Sequence, residues 1–298
     1  MNSKTPGSQD LDTPVAGSAT PAARRQEVCA LSTVRRVAAM LDLAPDTLDA
    51  PGAQLPRGWH FVLLAADTRR SELRSDGFPG LGAPMPDLGL PRLMLGGRSV
   101  HFHQDIPIGA AVLRSSAVRN IAHKTNAAGA MAVVTVSHDL FVAGQTQPAL
   151  VETQTYLLLP ARAAGAPATE AASMAAFAEA LAPVQAQHLK RVVPDETLLF
   201  QYSALGFNSH RIHIDLDHAR NVEGFPDLVV NGGLATLLLT EFLRVDLGVT
   251  PRAIAVRHVA PLYCNRSVTL AAEPTDAGWR LRAFDDLNRL AVDMEVTV

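Results

Sequence analysis

Apolar and polar positions alternate with a period of two through much of the chain, and the alternating segments fall into two sets. The first set predicts strands at residues 61–64, 98–103, 111–124, 130–142 and 150–159, broken by Asn126-Ala127-Ala128-Gly129 and Ala143-Gly144-Gln145. The second predicts strands near Leu199 and at residues 253–258, 267–273, 279–285 and 290–298. A short helix is expected over residues 27–41 and another over 234–245, where LATLLLTEFL is apolar on nearly every side and therefore buried. Residues 114–159 and 269–298 share an order of strand, turn, strand, turn and strand, as a degenerate internal duplication would. The Gly- and Pro-rich stretch 66–97 reads as a long loop that either lines a tunnel or wraps the exterior.

Composition divides the chain. Residues 1–28 are rich in Pro, Ser, Thr, Gly and Ala and are expected to be disordered. Residues 161–192 shift to Ala and Pro, as a linker carrying a short helix would, so one domain is expected at 29–160 and a second at 193–298. The net charge of −3, without a basic run, argues against nucleic acid as a partner. Cys29 and Cys264 form no pairable framework, which suits two free thiols in a reducing compartment. No apolar run approaches a membrane span. Arg24 and Arg25 suit a mitochondrial presequence, but Asp10 and Asp12 oppose one, so the cytoplasm is the expected location. His101 and His103 have no third ligand at a recognisable spacing, and no metal is assigned.

One polar cluster stands out, Asn208-Ser209-His210-Arg211-Ile212-His213-Ile214-Asp215, followed by Asn231-Gly232-Gly233 before the apolar helix. On an extended strand His213 and Asp215 would project to one side and Ile212 and Ile214 to the other.

Residues 199–215, LFQYSALGFNSHRIHID, and Gly224-Phe225-Pro226-Asp227-Leu228-Val229-Val230-Asn231-Gly232-Gly233 resemble stretches of the MaoC-like hydratases and dehydratases with two hot-dog repeats, the group containing 3-methylfumaryl-CoA (mesaconyl-CoA) hydratase. Leu55-Pro56-Arg57-Gly58-Trp59-His60, Ser71-Glu72-Leu73 and Leu90-Pro91-Arg92-Leu93-Met94 resemble the first repeat of such proteins, so the likeness covers most of the chain. The resemblance implies an α+β fold of two hot-dog repeats, each an antiparallel sheet wrapped around a helix, with the N-terminal repeat degenerate. It further implies a homodimer acting on an acyl-CoA, and no cofactor beyond the carrier of the substrate. The family's His and Pro at positions 231 and 233 are Asn and Gly here. The broad class also pairs its catalytic His with an Asp five residues earlier, where this chain has Asn208.

Adding water to an α,β-unsaturated thioester needs a base, a stabiliser for the enolate and a proton for Cα. His213 is the candidate base, and the N–H groups of Gly232 and Gly233 at a helix N-terminus are the candidate oxyanion hole. Asn208 is expected to orient water, with His210 or Asp215 setting the tautomer of His213. Arg211, Asn231, Arg257 and Arg266 are candidate contacts for substrate or CoA. The expected activity is hydration of an enoyl-CoA that is short and branched or dicarboxylic. The rival readings are a 3-hydroxyacyl-carrier-protein dehydratase and a non-catalytic acyl-thioester-binding protein.

Overall fold

The computed structural model describes residues 22–44, 48–126, 129–162 and 182–298. Ten strands build one antiparallel sheet: β1 (Ala23–Val28), β2 (Arg92–Phe102), β3 (Ala111–Asn126), β4 (Gly129–Val142), β5 (Leu150–Leu159), β6 (His188–Val192), β7 (Ala253–His258), β8 (Val268–Thr275), β9 (Gly278–Phe284) and β10 (Leu290–Thr297). Their spatial order is β1-β3-β4-β5-β2-β7-β10-β9-β8-β6. Read outward from the central β2–β7 pair, each half runs through its second, fifth, fourth, third and first strand, so the sheet is two copies of one topology joined back to back. That is the double hot-dog arrangement, and it explains why the strand patterns of the two halves repeat in order.

Each half inserts helices between its first and second strands. In the second half these are α2 (Glu196–Leu205) and α3 (Gly232–Glu241); in the first they are α1 (Leu31–Met40) and, in place of a second helix, the 3₁₀ turn Trp59–Leu64, with a shorter one at Arg70–Glu72 further on. The long central helix of the first copy has therefore shrunk to a turn. Trp59 ties this turn to α3 through a 2.7 Å bond from Nε1–H to Glu241. Leu234, Leu237 and Leu239 of α3 are fully buried in a core that includes Val100, Ile254, Leu270, Leu281 and Met294 from both halves of the sheet. Each contributes about 1.5–3 kcal/mol relative to exposure.

Several sequence expectations are corrected. The strand near Leu199 is the helix α2, opened by Asp195, whose carboxylate accepts the Leu198 N–H over 2.8 Å. That cap outweighs the strand-like apolar run. The run at residues 61–64 is the 3₁₀ turn, and the helix expected from residue 27 begins at Leu31. Part of the segment expected to be disordered is ordered, because Ala23–Val28 pairs with Ala111–Ser116 of β3. Backbone pairing and the Arg25 bonds to Ala65 and Asp67 hold an edge strand whose composition gives no apolar signal. Within the stretch read as linker, His188–Val192 pairs with β8, while the expected short helix lies outside the described residues.

Candidate active site

The polar cluster is a turn rather than a strand. After α2, Phe207 adopts a positive φ of 46° and the Asn208 N–H returns to the Ser203 carbonyl. Asn208 Oδ1 then accepts the His210 N–H over 3.1 Å, and Arg211–His213 forms a 3₁₀ turn. Side chain to backbone bonding of this kind competes with strand formation, which is why a period-two reading fails here. The first-half loop closes over the turn: Arg211 N–H bonds the Asp76 carbonyl, and Ser209 Oγ–H bonds that of Gly77. The long loop therefore does line the cavity, through Phe78, whose ring meets His210 edge-on at 5.6 Å.

Asn208, His210, His213, Asn231, Gly232 and Gly233 line one cavity of about 220 Å³, between the turn, the N-terminus of α3 and the inner face of the central strands. His213 is buried, and its Nδ1–H donates to the Val229 carbonyl over 2.7 Å. A carbonyl can only accept, so this bond fixes the neutral tautomer and leaves Nε2 as a lone-pair acceptor. Burial, reinforced by the neighbouring His210, lowers the His213 pKa to about 3, against the opposing pull of the Val229 carbonyl. The imidazole is thus uncharged near neutral pH, with Nε2 free of a proton.

Asn208 spends its oxygen on the His210 N–H, so its NH₂ is the group it can offer. Asn231 is the reverse: Nδ2–H bonds Ser203 Oγ at 3.2 Å, and Oδ1 is buried without a partner. Gly232 and Gly233 open α3, whose first N–H groups have no acceptor within the helix and sit at its positive end. A Cβ on Gly233 would stand 2.1 Å from the Tyr202 hydroxyl, so glycine is required for the close packing there.

Four predicted residues, Asp215, Arg211, Arg257 and Arg266, stand outside the cavity, and His210 within it is not placed for its expected part. Asp215 does not set the tautomer of His213; its carboxylate takes both Nε–H and Nη2–H of Arg211, at 3.0 and 2.7 Å, and the His218 N–H at 3.0 Å. Nor does His210, whose ring lies edge-on at 5.3 Å with Nε2 3.6 Å from Asp76. Arg211 is committed to Asp215 and does not line the cavity. Arg257 alternates with the inward Val256 on β7 and bonds Asp293 on the opposite face of the sheet. Arg266 stacks over Tyr263 at 5.1 Å and pairs with Asp286, also outside the cavity.

The structure adds residues that the sequence reading missed: Arg98, Tyr156, Tyr202 and His258 line the same cavity. Burial lowers the His258 pKa to about 3, with Arg98 acting in the same direction, and raises that of Tyr202 to about 12. A signal for Arg98 was present in Gly96-Gly97, a pair that marks a bulge inside a strand. Tyr202 was concealed by reading its helix as a strand. Among the described residues, no group of three or more His, Cys, Asp or Glu side chains gathers as metal ligands. No helix among them is long and apolar enough to cross a membrane.

A family model described as hydroxyacyl-thioester dehydratase type 2 matches residues 58–264. The chain is 35% identical over 228 residues to mesaconyl-C(4)-CoA hydratase of Chloroflexus aurantiacus, covering 76% of this chain and 77% of that protein. A MaoC-like dehydratase from Phytophthora capsici superposes with a TM-score of 0.64 at 14% identity, covering 93% and 95% of the two chains. A conserved hypothetical protein of Mycobacterium tuberculosis with a double hot-dog fold superposes with a TM-score of 0.55 at 12% identity, over 93% and 95%.

Proposed function

We propose that this chain, which belongs to the hydroxyacyl-thioester dehydratase type 2 family of MaoC-like hot-dog proteins, reversibly hydrates a short enoyl-CoA of the branched, dicarboxylic 3-methylfumaryl type. It is a hydratase or dehydratase of acyl-CoA thioesters, and so a lyase. The finer reading draws on the 35% identity to mesaconyl-C(4)-CoA hydratase and on a cavity of about 220 Å³. That volume is below the ~300–1,000 Å³ of drug-sized ligand sites.

The observation that carries the mechanism is the His213 to Val229 bond, which turns an unprotonated Nε2 toward a cavity also lined by the first amides of α3. His213 Nε2 removes a proton from water while the water oxygen forms its bond to Cβ. The π electrons of the double bond move toward the thioester carbonyl, and the resulting enolate oxygen is held by the N–H groups of Gly232 and Gly233. The imidazolium then returns its proton to Cα, so one water is added and His213 is restored. The NH₂ of Asn208 donates to the attacking water, and Asn231 Oδ1 accepts its second hydrogen. Asn208 cannot act as a base, so that role is assigned to His213.

Incubating the protein with a panel of enoyl-CoA thioesters and following loss of the conjugated absorbance tests this reading. Turnover of 3-methylfumaryl-CoA that collapses in His213→Ala is the expected result. Full turnover in both Asn208→Ala and His213→Ala would defeat the mechanism. Competition between CoA and acyl-carrier-protein esters separates the hydratase from a dehydratase of acyl-carrier-protein substrates.

A further inference from the structure

The cavity floor carries a buried cation that the hydration chemistry does not use. Arg98 follows Gly96, the extra residue of a β2 bulge where the register with β5 shifts between Leu95 and Gly97. Before the bulge Leu93 and Leu95 line the cavity; after it Val100 and Phe102, two and four residues beyond Arg98, are the buried positions. The inserted residue flips the parity of the strand and aims Arg98 inward, opposite the buried Val256. Bulges re-aim side chains in this way.

The Arg98 side chain is 10% exposed and, among the described residues, makes one ionic contact, 3.3 Å from Nη1 to Glu152. Glu152 does not depend on it for hydrogen bonding, because Gln154 donates to Oε1 and His60 pairs with Oε2, each at 2.7 Å. Among the described residues, Arg98 Nε is buried without a partner. Its Nη2 lies 3.3 Å from where a Cβ of Gly233 would stand, so the guanidinium sits beside the amides that would hold the thioester oxygen. Buried donors on a cation are costly to leave unpaired, and a carboxylate is the acceptor that a guanidinium fork fits best.

We infer that Arg98 is the specificity-determining residue that binds a free carboxylate carried on Cβ of the enoyl thioester. The inference rests on the hydratase reading of the site. In a trans-butenedioyl monothioester the two carbonyl carbons are ~4 Å apart, the span of consecutive Cα atoms across a trans peptide. With one end on the Gly232 and Gly233 amides, the other is within reach of the guanidinium. A methyl in place of the carboxylate would leave the Arg98 Nε–H without an acceptor.

Fumaryl-CoA and crotonyl-CoA differ only in carboxylate against methyl on Cβ, so the ratio of their kcat/KM values reads the effect of Arg98. The wild type is expected to favour fumaryl-CoA by about 100-fold, and Arg98→Gln to lose most of that preference. The double variant Arg98→Gln/Glu152→Gln, which removes both members of the ion pair, should lose the same preference if the single variant misfolds. A ratio within threefold of wild type in a folded variant, or a wild type that favours crotonyl-CoA, overturns the inference while leaving the hydratase reading intact. Should the wild type hydrate neither of these esters nor 3-methylfumaryl-CoA, the hydratase reading fails, and calorimetric binding of succinyl-CoA against butyryl-CoA decides Arg98 alone. At least tenfold tighter succinyl-CoA binding supports it, and equal or weaker binding overturns it.

Discussion

His213 donates its Nδ1–H to the carbonyl oxygen of Val229, sixteen residues downstream, over 2.7 Å. Because Val229 N–H in turn bonds the Ile212 carbonyl, the ring and its backbone are clamped to the same short segment. A tautomer held by a backbone carbonyl does not depend on a partner side chain. Replacing His213 by Ala is expected to lower kcat on an enoyl-CoA by about 10²–10⁴, the usual contribution of a positioned general base. Circular dichroism should show the fold retained, so that the loss reads as chemistry.

The pH response follows from the direction of the shifts. Burial lowers the pKa values of His210, His213 and His258 to about 3, whereas their ordinary value is 6.5. His213 therefore remains neutral through the range in which an exposed histidine titrates, and the hydration rate should pass from pH 8 to pH 5.5 without an inflection near 6.5. Stability behaves differently. Between pH 6.5 and 3 the unfolded chain holds these protons and the folded chain does not, so stability rises with pH in that window and is fully present above it. Urea unfolding at pH 7.5, 6 and 5 should give a falling free energy, with an upper limit of about 1.4 kcal/mol per pH unit for each imidazole. A curve that is flat from pH 7.5 to 5 would contradict the buried, neutral state of all three.

How much of this was readable beforehand depends on what each signal measures. The strands β3, β4, β5, β7, β8, β9 and β10 were legible because alternation reports a sheet with one buried face, and α3 because an all-apolar run must be covered. The motif around His213 was legible as residue identities but not as geometry: His213 and Asp215 share a period-two relation only in a strand, and the Asn208 Asx turn abolishes that strand. Ala23–Val28 escaped notice since an edge strand is held by backbone bonds that leave no hydrophobic pattern. The direction of Arg98 was signalled only by the Gly96-Gly97 pair that marks a bulge. That direction is set by one extra residue in β2, and a count of alternating positions across Gly96 assigns Arg98 to the wrong face.

Gly232 and Gly233 differ in what surrounds them, and alanine scanning should separate them. A Cβ on Gly233 would meet the Tyr202 hydroxyl at 2.1 Å, and that ring cannot swing away because it stacks on Phe61 with centroids 4.6 Å apart. A Cβ on Gly232 would meet only Leu95 Cδ2 at 3.1 Å and the His258 ring at 3.3 Å, with a flexible leucine able to yield. Gly233→Ala is expected to lower kcat/KM by about 100-fold or more, as removal of an oxyanion donor does. Gly232→Ala should cost less than about tenfold by the same measure. Removing the clashing oxygen in Gly233→Ala/Tyr202→Phe should recover part of the loss; equal activity of the two Gly233 variants would show that Tyr202 is not the obstacle.

Asp215 offers the opposite case, a residue inside the motif whose carboxylate works away from the cavity. One oxygen receives the Arg211 guanidinium and the other the His218 N–H, so the side chain braces the turn leading out of the site. Both bonds favour the ionised form and hold its pKa below the ordinary carboxylate value, the His218 N–H most strongly. Asp215→Asn keeps an oxygen for the His218 N–H but gives up the charge facing Arg211, whereas Asp215→Ala loses both. Thermal melting should therefore rank wild type above Asp215→Asn and Asp215→Ala lowest, while kcat/KM on the best enoyl-CoA stays within about threefold across the series, since no bond reaches His213. A fall in kcat for Asp215→Asn comparable with that of His213→Ala would mean that the carboxylate acts on the imidazole after all, through a rearrangement that accompanies substrate binding.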